Sequence, residues 1–141
     1  MELNTAGSFI TYISKIEQES ADLYARWAEQ HHELGELFLT FAKENRKNEK
    51  AVKGAYYSVV SDALETNFCF KGLRAGVEMP RLSEKAPASA AVQASIDLED
   101  SIQVFYTKAA QSCKAFLADV SRAVERVARL RRARLEKLRS R

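Results

Sequence analysis

The sequence is poor in the residues that interrupt helices. Its 141 residues include only five glycines and two prolines, whereas alanine, leucine, glutamate, lysine and arginine, which favour helices, are frequent. No apolar run approaches the roughly 18 residues that cross a membrane, and no basic-then-apolar signal segment opens the chain. These shortages predict an all-α fold, a single domain over residues 1–141 and no membrane span.

Cysteine is also scarce. The two cysteines, Cys69 and Cys113, are far apart and form no CxxC motif. A disulfide framework uses several closely spaced cysteines, so we interpret both as reduced thiols and expect a cytoplasmic protein.

Apolar residues recur at steps of three and four along four stretches, which is the period of an amphipathic helix. We predict helices over about 6–32, 34–65, 88–112 and 114–138. Gly72, Gly76, Pro80 and Pro87 interrupt the interval between the second and third helices. An interval of this length is too long for a simple turn, and it predicts a crossover that joins two parallel helices.

A short element with a glutamate on the apolar stripe occurs in both halves of the chain. Glu17 is followed seven residues later by Tyr24, and Glu99 is followed seven residues later by Tyr106. A charged glutamate inside a helical bundle costs several kcal/mol unless a metal or a hydrogen-bond network satisfies it. The repeat therefore predicts a bundle built around a pair of carboxylates.

Together with the openings of the second helix (Phe38–Glu44) and the fourth (Phe116–Val120), this pattern resembles the ferritin-like superfamily, and within it the rubrerythrin-related bundles. The resemblance implies an antiparallel four-helix bundle with one long crossover between helices 2 and 3. It also implies a di-iron site, with one Glu from each of helices 1 and 3 and a Glu-x-x-His from each of helices 2 and 4. A homodimer is expected too, with Tyr57, Phe68 and Phe70 as candidate interface residues.

The chain departs from this pattern in helices 2 and 4, where no histidine stands at the expected places. Those places hold two asparagines and two valines, and a shift of one residue yields one glutamate in each helix: Asn45, Asn48, Val124, Val127, Glu44 and Glu125. We therefore predict a protein that has lost di-iron chemistry, has no cofactor and acts as a non-enzymatic structural or interaction module, with a protein partner as one option.

Two interpretations of the carboxylate pair stay open. In one, Glu17 and Glu99 lie in a polar core network with the two tyrosines and the two asparagines, Tyr24, Tyr106, Asn45 and Asn48. In the other, they bind iron or manganese with the help of Glu44 or Glu125, in an atypical redox or peroxide-handling protein.

The C-terminal part of the chain is basic. Residues 114–141 contain ten Lys or Arg and three Asp or Glu, and the surface arginines Arg126, Arg129 and Arg132 are a candidate patch for an anionic partner. No aromatic residues alternate with the arginines, so the pattern does not favour nucleic acid. Val127, Leu130, Leu135 and Leu138 predict one packed face on this helix.

Overall fold

A computed structural model describes residues 2–3, 5–59, 73–115 and 117–141, and of Val59 its backbone only. Four long helices account for most of them: α1 (Ala6–Gln30), α2 (Gly35–Val59), α3 (Ala88–Cys113) and α4 (Ala118–Arg139). No strand occurs within these ranges, where the only β pairing is an isolated bridge between Glu2 and Arg74. The all-α prediction is confirmed. No helix of the described ranges is both long and apolar enough to cross a membrane.

The ends of the helices follow local chemistry. At the start of α1, Thr5 Oγ1 accepts from the backbone N–H of Ser8 and Ser8 Oγ accepts from that of Thr5, which forms a capping box. At its end, His31 leaves the helical conformation and a 3₁₀ turn (His32–Leu34) leads directly into α2. Helix α1 is therefore two residues shorter than predicted, and the predicted end of the second helix at residue 65 lies outside the described residues.

The boundary between α3 and α4 differs from the prediction. Helix α4 begins at Ala118, four residues after the expected position 114, because Leu117 adopts a non-helical conformation with φ −130° and ψ 65°. Ser112 lies inside α3, where its hydroxyl donates to the carbonyl of Lys108.

Contacts between α1 and α2 pair residues in opposite order along the two helices. Ser14 donates to Glu49 near one end, whereas the rings of Tyr24 and Phe41 lie 5.3 Å apart nearer the other. Trp27 then contacts Phe38 with a centroid distance of 6.0 Å. These aromatic rings fill the core close to the α1–α2 turn.

Residues 73–87 lie alongside α1. The backbone N–H of Leu3 donates to Leu73 O at 2.9 Å, and that of Val77 donates to the Tyr12 hydroxyl at 2.8 Å. Further along, residues 78–82 form a groove with the part of α1 between Glu19 and Gln30. The segment thus follows α1 from its first turns to its last ones before α3 begins.

The buried stripe of α4 contains arginine. Val120, Val124 and Val127 are buried as expected, but Leu130 is 45% exposed, so its predicted place on the packed face is wrong. Steps of four and three residues from Val127 lead instead to Arg131 and Arg134, which are 0% and 2% exposed. The sequence period therefore carries two cations into the core.

Candidate functional site: a guanidinium between two carboxylates

The side chain of Arg131 lies between the two glutamates that the repeat singled out. Its Nη1 donates to both oxygens of Glu99, at 2.8 and 2.6 Å. Its Nη2 and Nε donate to Oε2 of Glu17, at 2.6 and 3.2 Å. All three side chains are buried. Because a guanidinium carries its donors in one plane, a single arginine can bridge two carboxylates in this way.

The two tyrosines of the repeat exchange partners. Tyr24 of α1 donates to Oε2 of Glu99 on α3, and Tyr106 of α3 donates to Oε2 of Glu17 on α1, both at 2.6 Å. The seven-residue spacing puts each tyrosine two helical turns from the glutamate of its own helix. Because α1 and α3 run in opposite directions, this displacement brings the tyrosine of each helix level with the glutamate of the other.

Helix α2 contributes to the same cluster through Asn45, which contacts Ser20 of α1. The Ser20 hydroxyl accepts from Arg131 Nη2 at 3.0 Å and from Asn45 Nδ2 at 2.7 Å, and it donates to Ile16 O at 2.6 Å. Asn45 Nδ2 also lies 3.3 Å from the carbonyl oxygen of Glu17. Asn48 is buried as well, but its Nδ2 has no hydrogen-bond partner among the described residues.

A second arginine lies next to this cluster. Arg134 Nη2 donates to the carbonyl of Phe41 at 3.1 Å, and Arg134 Nη1 lies 3.5 Å from Oε1 of Glu99. Its guanidinium carbon is 4.7 Å from the centre of the Phe41 ring, a cation–π distance. On its outer side, Arg134 approaches Glu44 at 3.5 Å.

The protonation states follow from this geometry. Burial raises the pKa of Glu99, but Arg131, Arg134 and the hydrogen bond from Tyr24 outweigh burial and leave this pKa below its usual value. Burial lowers the pKa of Arg131, yet Glu17 and Glu99 raise it well above its ordinary value. Burial and then the facing carboxylate raise the pKa of both tyrosines, Tyr24 and Tyr106. At neutral pH Glu99 is therefore an anion, Arg131 is a cation, and both tyrosines are neutral phenols.

No family model, curated protein or solved structure matches this chain. The meaning of the cluster rests on its own chemistry.

The donor set around Glu17 and Glu99 does not fit a di-metal centre. No group of three or more His, Cys, Asp or Glu side chains that could hold a metal occurs in the described part of the chain. Both carboxylates already face a guanidinium, whose positive charge repels a metal cation at the same place. One buried carboxylate oxygen of the pair, Oε1 of Glu17, has no hydrogen bond among the described residues. A single oxygen cannot replace the missing ligands.

The other candidate ligands lie away from the carboxylate pair. Glu44 has a side chain that is 41% exposed and contacts Arg134, and Glu125 is exposed on the outside of α4. The three arginines of the predicted patch, Arg126, Arg129 and Arg132, are all exposed. Tyr57 is 69% exposed, and Phe68 and Phe70 lie outside the described residues.

The composition of the C-terminal stretch does not distinguish the two arginines of this site, Arg131 and Arg134, from the basic residues around them. One signal could have separated them: Val120, Val124, Val127, Arg131 and Arg134 follow one another at steps of three and four, so the period that predicts the core also passes through both.

Proposed function

We propose that this protein is a ferritin-like, rubrerythrin-related bundle in which an arginine holds the carboxylate pair together. In this proposal the protein is a metal-independent structural or interaction module and not a redox enzyme. The observation that carries the proposal is the pair of 2.6 Å contacts from Arg131 to Glu17 and Glu99 in a fully buried site.

The order of contacts supports an antiparallel bundle with one crossover. Helix α1 contacts α2 and α3 in opposite residue order, as Glu17 with Tyr106 and Tyr24 with Glu99 illustrate. Helix α3 meets α4 in the same manner, since Ser121 donates to Ala110 O while Arg131 meets Glu99. Helices α2 and α3 then run in the same direction. A connection along the length of α1, such as residues 73–87 follow, is what joins two parallel helices in ferritin-like bundles.

The electrostatic balance supports independence from metal. A di-metal carboxylate bundle compensates its buried acids with cations taken from solution, whereas here Arg131 and Arg134 supply two positive charges from α4. A metal ion would have to displace a guanidinium that makes five hydrogen bonds. The arginine would then lose partners that it cannot replace in a buried site.

Metal analysis of the purified protein tests this proposal. The protein would be loaded with Fe(II) or Mn(II) without oxygen, desalted and analysed for metal, and its thermal unfolding measured with and without a chelator. We expect no stoichiometric metal and an unchanged midpoint. About two ions per chain, lost in Glu17→Gln and Glu99→Gln, would contradict the proposal and favour the alternative with an atypical carboxylate metal site.

A further inference from the structure

A row of basic side chains runs along the outside of α2 and ends in an exposed apolar residue on each side. The row consists of six positions at steps of four and three residues: Leu39, Lys43, Arg46, Lys50, Lys53 and Tyr57. Leu39 and Tyr57 are separated by five full helical turns, so the row is straight and about 27 Å long. We call these six residues the α2 row.

The cations of the α2 row have no close anionic partner. No Asp or Glu oxygen lies within 4.0 Å of their nitrogens in the part of the chain that the structure describes. Two acids are adjacent in sequence to lysines of the row, but Glu44 approaches Arg134 and Glu49 accepts from Ser14 and Gln18 of α1. Burial raises the pKa of Glu49, whereas Lys53 and Arg46 lower it without forming an ion pair with this carboxylate. Lys43, Arg46 and Lys50 are exposed and Lys53 is half-buried, so their charge is available to a partner.

The ends of the row are unusually apolar for a charged surface. Leu39 is 56% exposed and Tyr57 is 69% exposed, and these are two of the four large hydrophobic side chains that the described structure leaves open to solvent. A partner that only neutralised the cations would gain nothing from a leucine. Tyrosine and leucine beside lysines are instead the combination that binds at the boundary between lipid headgroups and acyl chains.

We propose that the α2 row is a docking surface for an anionic lipid bilayer. A straight line of side chains on a convex bundle can touch a plane along its whole length, so all six residues reach a membrane surface together. The phosphates of a nucleic acid duplex wind around an axis and do not stay level with a straight row. Electrostatic attraction brings the lysines and the arginine to the headgroups, and Leu39 and Tyr57 enter the boundary layer.

The exposed cations of α4 differ in arrangement and provide a matched control. Arg126, Arg129 and Arg132 follow one another at steps of three, which turn by about 120° around the helix between the first and the last. A plane that faces Arg126 therefore leaves Arg132 turned away from it. Arg126, Arg129, Arg132 and Lys137 carry the same total charge as the four cations of the α2 row.

Vesicle sedimentation tests the proposal with the full chain. Vesicles of phosphatidylcholine, with and without phosphatidylserine, would be mixed with the protein at low and at physiological salt. We expect binding only with phosphatidylserine. Lys43→Ala/Arg46→Ala/Lys50→Ala/Lys53→Ala should reduce the partition coefficient about a hundredfold or more. The control Arg126→Ala/Arg129→Ala/Arg132→Ala/Lys137→Ala should keep most of it.

The apolar ends are tested separately with Leu39→Ser and Tyr57→Ser. Each should reduce binding severalfold at physiological salt, where electrostatic attraction is screened. Circular dichroism and the thermal midpoint should change little in any of these variants, because the substituted positions lie on the outer sides of α2 and α4.

Four outcomes would overturn the proposal. They are the absence of binding to phosphatidylserine vesicles, equal binding to neutral vesicles, an equal loss in both fourfold variants, and salt-sensitive binding of duplex DNA in place of vesicles. Dissociation of a dimer by Tyr57→Ser, with vesicle binding intact, would also overturn it, because Tyr57 would then belong to an interface between two copies of the chain.

Discussion

The bridge between Arg131 and the two carboxylates leads to a quantitative prediction for Arg131→Met. Methionine has a similar length and fills much of the same space, but it leaves Glu17 and Glu99 without the guanidinium that bridges them, and the nearest remaining cation is Arg134, 3.5 Å from Glu99. Removing one partner of a buried ion pair costs about 3–5 kcal/mol. A carboxyl group can escape only by taking up a proton. From the ordinary pKa of 4.5, this costs about 3.5 kcal/mol at pH 7.

The two estimates agree, so we expect Arg131→Met to lower the free energy of unfolding by about 3–5 kcal/mol and the melting midpoint by about 10–20 °C. Denaturant and thermal unfolding followed by circular dichroism would measure both. Arg132→Met is the matched control. It makes the same change at an exposed neighbour and should stay within about 0.5 kcal/mol of the unmodified protein.

A compensating variant separates loss of charge from loss of packing. In Glu17→Gln/Glu99→Gln/Arg131→Met the amide oxygens still accept from both tyrosines, and no buried charge is left without a partner. This triple variant should regain more than half of the stability lost in Arg131→Met. Our reasoning fails if Arg131→Met costs less than about 1 kcal/mol, or if the triple variant is no more stable than the single one.

Further predictions concern pH and the tyrosines. The pKa of Glu99 is lower in the folded protein, so its contribution to stability is complete above the unfolded value near 4.5 and is lost as pH falls through the folded value. The free energy of unfolding should therefore fall in acid. In Arg131→Met, by contrast, a modest drop below pH 7 should raise the free energy of unfolding. Tyr24→Phe and Tyr106→Phe should each lower the free energy of unfolding by about 1–3 kcal/mol, with similar values because both hydroxyls donate to a buried carboxylate at 2.6 Å. Tyr57→Phe is the exposed control. Unequal losses at the two core positions would contradict the equivalence of the two halves. In an alkaline titration followed by phenolate absorbance, both core tyrosines should ionise only with unfolding, because their pKa values are raised well above 10.0. The stability that they provide is complete below pH 10.0 and is lost above it. Early ionisation of all five tyrosines would contradict the burial of these two.

The sequence predicted the helical fold and one half of the site for the same physical reason. The apolar period that identifies α1 and α3 also places Glu17 and Glu99 on their inner faces, and an acid on such a face stands out. The repeated seven-residue spacing linked each glutamate to a tyrosine. It could not show that each tyrosine serves the glutamate of the other helix, because this depends on how far α1 and α3 are shifted along each other.

The arginines were harder to identify because composition conceals position. Arg131 is one of ten basic residues between positions 114 and 141, and such a run is ordinarily solvated. The helical period distinguishes Arg131 from its neighbour Arg132, but it does not show that Arg131 faces two anions, which depends on the level at which α4 meets α1 and α3. Leu130 is misleading in a related way, because its hydrophobicity favours burial whereas the helical period places the buried position at Arg131.

The placement of the central guanidinium also affects the order in which this chain can fold during synthesis. Both carboxylates belong to helices that are made before residue 131, so a growing chain already contains the anions of the core while their counter-ion is still missing. Desolvating the anions alone is unfavourable, so α1, α2 and α3 are not expected to close around them early. Final packing waits for α4, and a ribosome-bound chain that stops short of Arg131 should stay loosely packed and sensitive to protease.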